Sequence, residues 1–193
     1  MNAVAGRSLS IGLITISLLA VGLLLSQILP AGALEEENTI VAGNRVGLVK
    51  LGMKENKVKA TLGKDEGAYS LHSGLKVVLY QWQNPDKLAT MRVFYDRGDR
   101  VVQISATAPF AATTDGISLG SNLADIKEKH KSLECFKYKT NDQRIDYYDD
   151  VKQGIAFEFA WPIEQGKTAK RLRSILVHGS GILVIPDSDE VDL

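Results

Sequence analysis

Three carboxylates and two phenols stand together in the stretch DYYDD, Asp146–Asp150. Clustered carboxylates hold divalent cations or divide the work of a general acid and a general base. In an extended strand, however, Asp146, Tyr148 and Asp150 share one face and Tyr147 and Asp149 take the other, which splits the acids. An EF-hand loop needs its own spacing and a glycine, and both are absent. The stretch is therefore expected to be a solvated turn or strand edge. His72, His130, His178 and the single cysteine, Cys135, are scattered, without the spacing of a zinc site. His72 and His178 read as exposed or hydrogen-bonded residues. Cys135, in LECFKY, reads as a small apolar residue at a half-buried strand or helix end. No Ser or Thr lies in a Gly-x-Ser-x-Gly elbow, and GSGI (Gly179–Ile182) is too poor in glycine for a phosphate loop. No catalytic residue, metal or cofactor is expected. An enzyme using the Asp146–Asp150 region stands as the alternative.

The aromatic residues suggest binding instead. Tyr80 and Trp82 alternate with Leu79 and Gln81, so both rings share a face. Trp161 ends the row begun by Phe157 and Phe159. On an open sheet face, Tyr80, Trp82, Tyr148 and Trp161 would anchor a protein partner; under a helix, they would be core.

The elements that must position these residues follow from the pattern of the chain. It has 193 residues, 24% charged and 45% hydrophobic, as a folded globular protein requires. Its 23 Lys plus Arg balance its 23 Asp plus Glu, so nothing in the charge favours nucleic acid. The segment Ser8–Leu34 carries no charge, with Arg7 before it and Glu35–Glu37 after it. That polarity places the rest of the chain outside the cytoplasm. Two readings of residues 1–33 stand. One is a signal peptide, with Pro30 breaking the helix and Ala31-Gly32-Ala33 supplying a cleavage site after Ala33. The other is an uncleaved single-span anchor, which needs roughly 20 apolar residues.

Beyond a linker at 34–45, a pattern recurs. VGLVKLGMKENKVKATLGKDE (Val46–Glu66) aligns with DGISLGSNLADIKEKHKSLE (Asp115–Glu134), Leu51-Gly52 on Leu119-Gly120. Val49 then falls on Ile117, Val58 on Ile126 and Leu62 on His130. Each block predicts a short extended lead-in, a glycine turn and an amphipathic helix. Gly63 closes the first helix, and Ser121 or Asn122 caps the second. Asp125 and Lys129 are spaced for an i,i+4 pair. Strand-rich sequence follows each helix. Thr90–Ala106 reads as a hairpin with Asp96-Arg97-Gly98-Asp99 as its turn. The expected fold class is α+β: an N-terminal hydrophobic helix, then two tandem helix-plus-antiparallel-sheet units at 46–106 and 115–185. A linker at 107–114 joins them, and 186–193 is an acidic tail.

The block Val49, Leu51, Gly52, Met53, Val58, Leu62 and Gly63 resembles the opening of the small α/β domains of the BamE (SmpA/OmlA) type. Two in tandem resemble the arrangement of the β-lactamase inhibitor protein. The lipid-bearing cysteine of the BamE group is missing, and the second block has Ser121 in place of Met53. The resemblance implies a non-enzymatic, extracytoplasmic module of the bacterial envelope that binds and positions other envelope proteins. A secreted or periplasmic enzyme inhibitor is the alternative on the same resemblance.

Overall fold

The computed structural model describes residues 36–84, 87–139, 143–162 and 170–186. The expected leader or anchor, with its cleavage point at Ala33, lies outside them, as does all of the acidic tail but Pro186. Among the described residues no helix is long and apolar enough to cross a membrane.

The described residues begin with three short strands, β1 (Thr39–Val41), β2 (Arg45–Val46) and β3 (Val49–Lys50), followed by a helix, Glu55–Leu62, the first of two that lie wholly within the described residues. Strands β4 (Asp65–Ser70), β5 (Lys76–Asn84), β6 (Lys87–Tyr95) and β7 (Val101–Ala106) follow as an antiparallel meander. After β8 (Ala112–Thr113) comes a second helix, Leu123–Lys129. Strands β9 (Glu134–Lys139), β10 (Gln143–Asp150), β11 (Ile155–Pro162) and β12 (Arg171–His178) are the last of the described elements.

The two meanders join into one eight-stranded sheet of order β4-β5-β6-β7-β12-β11-β10-β9. The seam is the antiparallel pairing of β7 with β12, Ala106 opposite Ile175 and Gln103 opposite His178. A separate four-stranded sheet, β3-β2-β1-β8, brings β1 parallel to β8. This corrects the expected α+β fold of two helix-plus-sheet units, and with it the BamE-like resemblance. The described chain is mostly strand, with two short helices, and both meanders share one sheet. The helices are short because their apolar stripes are thin: each buries one residue fully, Val58 in the first and Ile126 in the second. The segment read as a linker at 107–114 is packed. It carries β8, buries Ala108 and Ala111, and sets Phe110 edge-on against Trp82 at 5.1 Å.

Local chemistry explains the element ends. Gly63 adopts φ 86° and its N–H donates to the Lys59 carbonyl, closing the first helix. Asn122 caps the second through Ala124 N and Asp125 N, while Asp125 reaches back to Asn122 N. That capping box takes up Asp125. Lys129 donates instead to the Asp115 carbonyl, so the expected Asp125–Lys129 pair gives way to these two contacts. At the β6–β7 turn, Asp96 Oδ1 accepts from Gly98 N at 2.8 Å and Arg100 N at 3.0 Å.

The main core lies on the front face of the large sheet, beneath the helices and the small sheet. Tyr80, Met91, Ile104, Phe157, Phe159 and Ile175 are among its members. Each such side chain withdrawn from water is worth about 1.5–3 kcal/mol.

Candidate functional site

Strand β10 holds the acidic stretch, and the structure corrects its expected solvation. It is an inner strand, between β9 and β11, and Asp146, Asp149 and Asp150 are all buried. The alternation is as the sequence predicts, but both faces of the strand are covered. On the front face, Asp150 Oδ2 lies 3.1 Å from His130 Nδ1 at the end of the second helix. Gln153 donates its backbone N–H and its Nε2 to the same carboxylate. His130 Nε2 stands 3.3 Å from Asp115 Oδ2 without hydrogen-bond geometry. Further along, Lys170 Nζ donates to Asp146 Oδ2 at 2.7 Å and to the Tyr148 hydroxyl at 2.6 Å, and sits 4.3 Å from the Tyr148 ring centroid. Burial pushes the Tyr148 phenol up, opposed by the Lys170 hydrogen bond, so it remains a neutral hydroxyl beside the ammonium.

On the back face, Asp149 Oδ1 accepts from His178 Nε2 at 2.9 Å and Oδ2 accepts from Val184 N at 2.8 Å. A second buried acid, Glu158 on β11, accepts from Ser174 Oγ at 2.8 Å. Unpaired buried carboxylates cost several kcal/mol, so these partners are obligatory. Each buried acid is thus held by a side-chain partner, while Asp146 Oδ1 and His130 Nε2 are left without a hydrogen bond. The two Asp–His pairs stand on opposite sides of the sheet and do not converge. Among the described residues no group of three or more His, Cys, Asp or Glu is placed to hold a metal ion.

Of the aromatic candidates, Tyr80 and Trp82 face the core at 0% and 6% exposure. They are corrected from partner anchors to packing residues: Tyr80 OH meets Tyr95 OH at 3.4 Å, and burial raises both phenols. Tyr148 is half-buried against Phe159 and Lys170. Trp161 pairs with Arg144 in the β10–β11 ladder; its side chain lies outside the described residues. Cys135 is exposed on the edge strand β9, which corrects its reading as a half-buried apolar residue. Lys170 and Gln103 carry no local motif, and nothing in the sequence marked them.

The back face of the first meander is covered at Val77 and Phe94 but open toward the other end of β5 and β6. Leu88 (64% exposed) stands there with Leu79, Gln81 and Gln83, while Tyr69 (36%) lies at the other end, opposite Val77. Beside Leu88 a cleft of about 400 Å³ is bordered by Glu66, Leu79, Gln81, Thr90 and Thr107. The signal was present in the sequence as the strand alternation that buries Tyr80 and Trp82, since their neighbours must then face outward.

Comparison with protein-family profiles and with curated proteins finds no match. Among solved structures the chain is similar to a cysteine-rich secretory protein from Staphylococcus aureus subsp. aureus Mu50. The identity is 15% and the TM-score 0.43, over 75% of this chain and 48% of that one. The chain thus spans about half the length of the structure it matches. A likeness at that level leaves the function to the residues themselves.

Proposed function

We propose that this chain is a non-enzymatic protein-binding module working outside the cytoplasm, at the cell envelope, and that it docks a partner on the open back face of β4–β6. The exposed Leu88 carries the reading. Leu88, with the half-buried Leu79 across a cleft edged by Gln81 and Thr90, gives an apolar centre with a polar rim, the kind on which protein interfaces are built. The site outside the cytoplasm is supported by the charge-flanked apolar segment at residues 8–34. If that segment is cleaved the module is periplasmic or secreted; if uncleaved it is held at the membrane.

The test replaces Leu88 with Asp. The L88D chain is expected to melt with the parent, because the side chain is 64% exposed, and surface changes move stability by about 0.5 kcal/mol or less. It should lose, by tenfold or more, a protein that the parent retains in affinity purification. Retention of the same protein by both chains overturns this docking face. An alkaline phosphatase fusion at the C-terminus reads the location independently: an inactive fusion contradicts export.

A further inference from the structure

The back face of the large sheet is covered across its middle: the chain's own C-terminal segment, Ile182–Pro186, crosses it from β10–β12, where Val184 seats, over the seam to β5–β7, where Ile185 meets Val77, Phe94 and Gln103. No β-ladder holds this segment; buried side chains read its backbone. Gln103 Nε2 donates to the Ile185 carbonyl at 2.7 Å and Gln103 Oε1 accepts from Ile185 N at 2.8 Å. One carboxamide thereby supplies both bonds that a neighbouring strand would make. Asp149 Oδ2 accepts from Val184 N, and its other oxygen is fixed on His178. His178 Nδ1 faces the Gly179 carbonyl at 3.2 Å. Gln103 and Asp149 are 0% exposed.

These contacts are blind to side-chain identity; the selectivity lies in two apolar seats. Val184 packs with Ile145, Tyr147, Ala156 and Leu176. Ile185 packs against Leu71, Val77 and Phe94. The rest of the segment is loosely engaged. It arrives through the turn Gly179–Ser180–Gly181 and leaves Ile182 59% and Leu183 50% exposed.

We propose that this face is a peptide-binding site whose ligand is supplied in cis. Its partner is an extended segment of another protein chain with two adjacent branched apolar residues, and Val184-Ile185 is the resident competitor. The inference rests on the reading of the chain as a protein-binding module, but uses a stretch of the back face away from Leu88.

The test frees the site in the full chain by the double substitution Val184→Asp and Ile185→Asp. The probe is a fluorescently labelled peptide with the sequence of Gly181–Pro186, GILVIP. Anisotropy is expected to show saturable binding to the freed chain, at least tenfold tighter than to the parent, whose site is filled. Adding Gln103→Leu to the freed chain should abolish it. No binding to a freed chain that keeps the parent's circular dichroism overturns the proposal, as does undiminished binding with Q103L. If the freed chain does not fold, amide exchange in the parent decides. Val184 and Ile185 N–H exchanging at least 100-fold faster than Ile104 and Ile175 supports a releasable segment; exchange at the core rate overturns it. None of these results depends on the L88D outcome, so the two readings fail separately.

Discussion

Strands β5 and β10 hold corresponding places in the large sheet, each second from an edge and each next to a helix. They fill those places with opposite chemistry. Under the first helix lie Val78, Tyr80 and Trp82. A step of 68 residues, Leu51 to Leu119, puts Asp146, Tyr148 and Asp150 in their stead, and His130 where Leu62 stood. One region is held by apolar burial, which is non-directional and forgiving of shape. The other is held by hydrogen-bonded acids, each of which needs its partner present. The same position in a sheet can thus be satisfied by oil or by charge, but the charged solution tolerates far less change.

The sharpest way to break that comparison is to unpair His130 and Asp150. H130L leaves Asp150 with only its two Gln153 hydrogen bonds and D150L leaves His130 Nδ1 and Gln153 without their acceptor, each at a cost of about 3 kcal/mol. The double variant, which restores apolar chemistry of the β5 kind, is expected to melt closer to the parent than either single one. Chemical denaturation of all four chains reads the coupling; additive losses would show that the pair is not obligatory. Next in size is one substitution made in both regions. Tyr148→Phe takes a hydrogen-bond acceptor from the Lys170 ammonium and should cost about 1.5–3 kcal/mol, whereas Tyr80→Phe removes one long neutral hydroxyl contact and should cost about 0.5 kcal/mol. Equal losses would contradict the contrast.

The smallest expected effect lies at the surface of the apolar region. The hydrogen bond from Lys76, 2.5 Å away, holds the Glu55 carboxyl below its ordinary value of 4.5. Its contribution is present above that pH and is lost as pH falls through the lowered folded value. Lys76→Met should flatten this acid limb by about 0.5 kcal/mol, since the pair is partly solvated. Melting temperatures followed downward from pH 4.5 check it.

Much of the scaffold was legible in the sequence because its causes are local. The turn at Asp96–Asp99, the cap at Asn122, the glycine stop at Gly63 and the alternation through Tyr80 and Trp82 each depend on residues a few positions apart. The candidate site was not, because its causes are distant. Asp150 meets His130 across 20 residues, Asp146 meets Lys170 across 24, and Asp149 meets His178 across 29 and Val184 across 35. A run of acids reads as solvated until those partners are known. The single sheet was hidden for the same reason: repeated blocks give the order of strands in each meander, but the β7–β12 seam is a long-range pairing that no local pattern encodes.

The turn between β10 and β11 carries one more lesson. Gly154 has φ 72°, and a methyl group there would fall 2.3 Å from the His178 carbonyl and 2.9 Å from Gly43. Its own carbonyl accepts from both Gly43 N and His178 N at 3.0 Å. A single peptide group therefore acts as a rivet through three layers of chain: the first turn of the small sheet, a hairpin of the large one and the root of the C-terminal segment. Strain applied at any of the three is shared at once by the others, so the two sheets should rise and fall in one transition, with no hinge between them.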